Sequence, residues 1–124
     1  MSNQKSILTI SRDAELQRPR TLILQDAGYH VAAATSDAQA ISFLEKPHSF
    51  TLVLLCHSVP ESSRVYLADR MKELSPELPI LMLYNGFEPT QAKVDGSLHQ
   101  LESPGVWLKM VDYVTGGRAE NPVD

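Results

Sequence analysis

The chain has 124 residues, 43% of them apolar, and a formal net charge of −4. That length fits one domain with a single buried core, and the acidic balance argues against nucleic-acid binding, which depends on clustered Lys and Arg. One cysteine cannot form an internal disulfide, no charged-then-apolar leader precedes Ile7, and no run approaches the ~20 apolar residues of a membrane span, so a cytoplasmic location without membrane contact is expected.

Ile7-Leu8-Thr9-Ile10 is a β-prone run that stops at Ser11-Arg12-Asp13, which predicts a first strand opening into a loop. Leu16, Ile23 and Ala27 then recur at helical spacing, and Gly28 supplies the left-handed stop. Pro19 removes a helical hydrogen bond, so the helix either starts near Arg18 or begins near Asp13 and kinks. Arg12, Arg18 and Arg20 form the local basic group and read as a solvated helix edge, partly neutralised by Asp13 and Glu15. Tyr29 to Ala34 predicts a second strand, and Ser36 or Asp37 caps a helix that carries Ala40, Ile41 and Leu44 inward until Pro47.

The third strand runs from about Phe50 to Cys56, its apolar run Leu52 to Leu55 indicating burial on both faces. A third helix places Leu67, Met71 and Leu74 on one side and breaks at Ser75-Pro76. Pro79 opens a fourth strand, Ile80 to Leu83. From Tyr84 to Gly96 the regularity fails: Asn85-Gly86 is a turn signal, Pro89 interrupts, and a missing or reduced fourth helix is the expectation. Ser97 to Leu101 predicts a fifth strand. In the last helix Val106, Met110 and Tyr113 lie beside Trp107, Val111 and Val114 on a broad apolar face, with residues 115–124 read as a flexible tail. Alternating strands and helices imply right-handed crossovers and a doubly wound α/β domain with a parallel sheet, whose binding crevice lies at the carboxyl ends of the strands.

Four pieces of this framework fall in the order and near the spacing of response-regulator receiver domains. They are Asp26-Ala27-Gly28-Tyr29, TLVLLCHSVP at 51–60, PILMLYNG at 79–86 and Ser103-Pro104. The chain resembles a receiver over roughly residues 5–114. The resemblance implies a five-stranded parallel sheet in order 2-1-3-4-5, and it also implies a cis Ser103-Pro104 bond. The positions that carry receiver chemistry depart from the pattern. The acidic pair that holds Mg²⁺ corresponds to Ser11 and Arg12, and the phospho-acceptor aspartate to Cys56, with Val59-Pro60 at the expected distance. The signalling Thr or Ser corresponds to Tyr84, the Lys of the Lys-Pro pair to Ser103 preceded by Glu102, and the Asp-Gly beyond the hydrophobic-Pro pair to Ser63-Arg64. A hydroxyl and a permanent cation do not hold a hard dication, and a thiol does not form an acyl phosphate.

The resemblance therefore implies a degenerate phospho-acceptor pocket formed by Ser11, Arg12, Cys56, Tyr84 and Ser103, with no catalytic residues, no metal and no cofactor. The expected function is a stand-alone, phosphorylation-independent protein-interaction module in bacterial signalling, with signalling proteins as partners and a homodimer left open. The competing reading is a sensor. Arg12 would approach Cys56 and favour its thiolate, or would join the Ser11 and Ser103 hydroxyls in an anion pocket. A Cys56-His57 nucleophile-base pair is disfavoured because strand neighbours point to opposite faces, and His30, His48, His57 and His99 lack ligand spacing.

Overall fold

Because the connections between successive strands are crossovers, and no two-residue hairpin joins them, the strands pair in parallel and need a layer on each face of the sheet. The computed structural model describes residues 5–85, 90–100 and 103–115. Its elements are β1 (Ser6–Ile10), α1 (Ala14–Asp26), β2 (His30–Ala34), α2 (Asp37–Glu45), β3 (Phe50–Leu55), α3 (Glu61–Leu74), β4 (Ile80–Tyr84), β5 (Gly96–His99) and α4 (Pro104–Val114). All five strands are parallel, in order β2-β1-β3-β4-β5. This is the expected doubly wound fold.

Period-2 alternation divides the central strands between two cores. Leu8, Ile10, Val53, Leu55 and Ile80 pack against Ala40, Ile41 and Leu44 of α2 and Leu67, Ala68 and Met71 of α3. Ile7, Leu52, Leu54, Leu81 and Leu83 face the other way, against Leu24 of α1 and Trp107 and Val111 of α4. Residues fully buried along β3 thus serve both layers, and this explains a continuous apolar run without alternation.

Where the periodicity misplaces a face, a polar group is the reason. In α1 the residues turned fully inward are Gln17 and Leu24, whereas Leu16 is 41% exposed. Gln17 Nε2 donates to the Thr9 carbonyl at 3.1 Å, Thr9 Oγ1 at 2.9 Å and the Ala34 carbonyl at 3.3 Å. A buried amide that stitches α1 to the ends of β1 and β2 sets the helix rotation, and an apolar count cannot see it. In α4, Trp107 and Val111 are buried but Val106 and Tyr113 are exposed, so the apolar face is narrower than expected.

Of the two starts left open for α1 the one near Asp13 is found, and two further expectations are corrected. The α1 helix begins at the Asp13 cap, whose carboxylate accepts from the Glu15 and Leu16 N–H groups, and it runs through Pro19 and past Arg18. No cis peptide bond is present among the described residues. Ser103 instead has extended backbone and caps α4 by accepting from Val106 N–H, with Pro104 in the first turn, where its missing N–H costs nothing. The fifth strand runs Gly96–His99 with Gln100 already in a turn, and the expected end at Leu101 lies outside the described residues. Gly28 does stop α1 in the left-handed region, at φ 100°.

Between β4 and β5 no helix is present among the described residues, and residues 86–89 and the tail at 116–124 lie outside them. Residues 90–95 instead run as a strap, with Ala92 buried and Val94 packed on the α2/α3 core while Gln91, Lys93 and Asp95 are exposed.

Pro19 is solvent-exposed and sits six residues into α1, where its ring opposes the Glu15 carbonyl and deletes one helical hydrogen bond. Pro19→Ala is expected to raise stability by about 1 kcal/mol or more, the helix gain exceeding the lost restriction of the unfolded chain. Urea denaturation checks this, and an unchanged or lower midpoint contradicts it.

Candidate functional site

The carboxyl ends of β1 and β3 lie side by side, and the loops that leave them form the rim of the crevice. Pairing continues just past the strands: Ser11 N–H donates to the Ala34 carbonyl at 3.0 Å and Cys56 N–H to the Ile10 carbonyl at 2.9 Å. Ser11 is fully buried there. Its Oγ lies 2.8 Å from Ser58 Oγ, donates to the Asp13 carbonyl at 3.1 Å and accepts from Asp13 N–H at 3.0 Å. Ser58 Oγ also accepts from Arg12 N–H at 2.9 Å. Two hydroxyls therefore bind the β1–α1 loop to the β3–α3 loop.

The Arg12 side chain does not turn to Cys56. Its guanidinium pairs with Asp37 at the start of α2 and donates to Ser63 Oγ of α3 at 2.9 Å. Ser63 in turn donates to the second Asp37 oxygen at 2.8 Å, which closes a three-membered ring of contacts. The expected pairing of Arg12 with Cys56 is thus replaced by one that links α2 to α3.

Cys56 is 1% exposed and packs into the α1/α4 core with Leu52 and Leu54, as strand alternation requires. The cation acting on its thiol is Arg20 of α1. Burial dominates: it pushes the thiol from its ordinary 9.0 up to about 11, against the charge and hydrogen bonding of Arg20. Arg20 also reaches Gln100 Oε1 at 3.5 Å, so Arg12, Arg18 and Arg20 do not act as one basic edge.

Tyr84 is half-buried at the end of β4 and meets His99 edge-on, with ring centroids 5.2 Å apart. Ser103 is exposed and committed to capping α4. The Ser11 and Ser103 hydroxyls therefore serve different loops, and neither is arranged around an anion. Of the five predicted positions, Ser11 and Arg12 are joined through Ser58, while Cys56, Tyr84 and Ser103 have separate environments. Among the described residues no three His, Cys, Asp or Glu side chains gather into a metal-binding group. A hollow of about 540 Å³ lies at the opposite end of β3, beside His48, Phe50, Ser75 and Pro79, away from every one of these positions.

Arg64 and Glu61 belong to the rim, and their roles were not legible in the chain. Arg64, 4% exposed, donates to the His57 carbonyl at 3.1 Å and to Glu61 at 3.3 Å. Glu61 accepts from the Thr90 hydroxyl at 2.8 Å and from Gln91 N–H at 2.7 Å, holding the start of the strap. Asp95 holds its other end through Lys72 and Ile80 N–H, at 2.8 and 2.7 Å. Burial alone would raise both carboxyls, but their hydrogen bonds and cationic neighbours outweigh it and keep both below their ordinary range. The hint in the sequence was a Glu and an Arg three residues apart at the start of a helix, a spacing common on solvated faces.

The Cys56 thiol is expected to resist iodoacetamide in the native protein at neutral pH and to react rapidly once urea unfolds the chain. Its folded pKa lies above its unfolded one, so its protonated form carries no pH-dependent penalty at neutral pH. Stability should then fall as pH rises through 9.0 toward about 11, because the unfolded thiol ionises first. Rapid native-state alkylation would contradict this.

Over 79 residues the chain is 33% identical to the response regulator receiver protein CpdR of Brucella abortus (strain 2308), a match covering 64% of this chain and 65% of that protein. The match thus spans a little under two thirds of that relative. No family model matches the chain. A CheY-like response regulator receiver domain protein from Methanospirillum hungatei JF-1 superposes with a TM-score of 0.81 at 20% identity, over 92% of this chain and 95% of that one. Chemotaxis response regulator CheY4 of Vibrio cholerae gives a TM-score of 0.77 at 22% identity, over 90% and 99% of the two chains. The signal receiver domain of a signal transduction histidine kinase from Syntrophus aciditrophicus gives 0.78 at 16% identity, over 97% of each. With the same five-stranded parallel order as these receiver structures, the chain has the CheY-like receiver fold.

Proposed function

We propose that this domain is a degenerate receiver, a protein-interaction module of bacterial signal transduction that works without phosphorylation and without catalysis of its own. One observation carries the reading. At the rim, where a phosphoryl group would be accepted, stands Cys56, a buried thiol held protonated, and where an acidic pair would bind Mg²⁺ stand Ser11 and Arg12. These residues do not fit the ion. The Ser11 hydroxyl is spent on Asp13 and Ser58, and Arg12 presents a permanent cation already paired with Asp37. Phosphoryl transfer needs an acceptor, a metal and positive charge converging on one group, and here those positions serve separate loops.

The competing sensor reading receives less support. A redox-active cysteine needs thiolate character and access, and Cys56 has neither. What remains for recognition is the surface. Leu16, Leu22, Tyr66, Val106 and Tyr113 are exposed apolar side chains spread over α1, α3 and α4, and partners are other signalling proteins. No helix among the described residues is long and apolar enough to cross a membrane.

Incubation with a small phosphodonor such as acetyl phosphate and Mg²⁺ is expected to leave the intact mass unchanged. A stoichiometric, hydroxylamine-labile adduct would overturn the reading. Once a partner is captured, Cys56→Ala is expected to bind it with the affinity of the native domain in reducing and mildly oxidising buffer alike. An oxidation-dependent affinity seen only with Cys56 present would instead establish the sensor.

A further inference from the structure

We propose that Arg12 and Arg64 are built-in cations that lock the rim and the strap in one arrangement, supplying permanently the cross-linking charge that a divalent ion would otherwise bring. The proposal rests on the reading of the site as degenerate and adds what took the place of the ion.

The contacts form one connected set. Arg12 lies in the β1–α1 loop and joins Asp37 of α2 to Ser63 of α3, while its own N–H holds Ser58 of the β3–α3 loop. Arg64 is the next residue along α3. It holds the same β3–α3 loop at the His57 carbonyl and positions Glu61, which grips Thr90 and Gln91 of the strap. Two adjacent residues of one helix turn, Ser63 and Arg64, therefore take up both branches, one toward α2 and one toward the strap.

The chemistry favours arginine for this task. A guanidinium stays charged at every accessible pH and presents a planar fork of donors, so one side chain satisfies acceptors on several elements at once. Arg12 is 31% exposed and its partner Asp37 is 29% exposed, so the pair alone is a modest contributor, and its consequence is positional. Arg64 is different. With its side chain 5% exposed, its charge is removed from water and must keep its acceptors, which makes its branch the more rigid one.

Backbone hydrogen exchange of the intact chain tests the lock, with wild type, Arg12→Ala, Asp37→Asn and Glu61→Gln measured with and without millimolar Mg²⁺. Arg12→Ala and Asp37→Asn are each expected to speed exchange at residues 11–13 and 58–63 by roughly two- to fivefold, the loss of a partly exposed ion pair, while β1 and β3 stay protected. Glu61→Gln, which keeps shape and removes charge, is expected to speed exchange at 90–92, and Mg²⁺ is expected to change nothing in wild type. Unchanged rim exchange in both Arg12→Ala and Asp37→Asn would overturn the lock. So would protection of residues 11–13 by Mg²⁺ in wild type. Phosphodonor labelling of wild type separates the two failures, since an adduct defeats the degenerate reading whereas a loose rim without an adduct defeats only the lock.

Discussion

The structure depends on the parallel pairing of β1 with both β2 and β3. Parallel strands are covered on both faces, so β1 and β3 are apolar along most of their length, with buried Thr9 satisfied by Gln17, and the rim chemistry gathers at their ends. Ile10 and Leu55 are the last residues of these strands, and within three positions of each the chain supplies Ser11, Arg12, Asp13, His57 and Ser58. The crevice is thus a geometric product of the sheet and would exist whatever residues stood there. In this chain the rim hydroxyls and charges pair with one another.

That self-satisfaction has two physical sources. Hydroxyls at 11 and 58 are small enough to bond across adjacent loops, where paired carboxylates would repel each other unless a cation stood between them. Arginine at 12 then finds a carboxylate on α2, and the charge balance closes without an added ion. Cys56 completes the pattern by joining the α1/α4 core as a small apolar group.

Much of the fold was legible because it rests on periodicity and turn chemistry. Leu52 to Leu55, Ala40 with Ile41 and Leu44, and the stop at Gly28 all stand where hydrophobic spacing and backbone conformation put them. The absence of a helix over residues 90–95, the part of this connection that is described, agrees with the break that Gly96 puts into the sequence. The face of α1 was not, because Gln17 is buried through three acceptors on other elements, and such long-range satisfaction leaves no local signature. The site was legible as a set of departures, but its wiring was not. Arg12 and Asp37 are 25 residues apart in sequence, and Glu61 and Gln91 are 30 apart, so only the folded sheet shows that they meet. Arg20, which reads as solvated charge, turns out to be the cation facing Cys56 for the same reason.

The contact of Lys5 Nζ with the Thr115 carbonyl, 2.7 Å, has an architectural consequence. Lys5 precedes β1, and Thr115 follows α4 after that helix has run back from the carboxyl ends of the strands. Both ends of the folded body therefore emerge together at the pole opposite the rim. A neighbouring module fused on either side would hang from that pole and leave the crevice, its loops and the strap open to the solvent. Joining the two sides by a short linker would likewise close the chain into a ring, so the domain is suited to circular permutation with new ends placed in an exposed loop such as the one at Pro47.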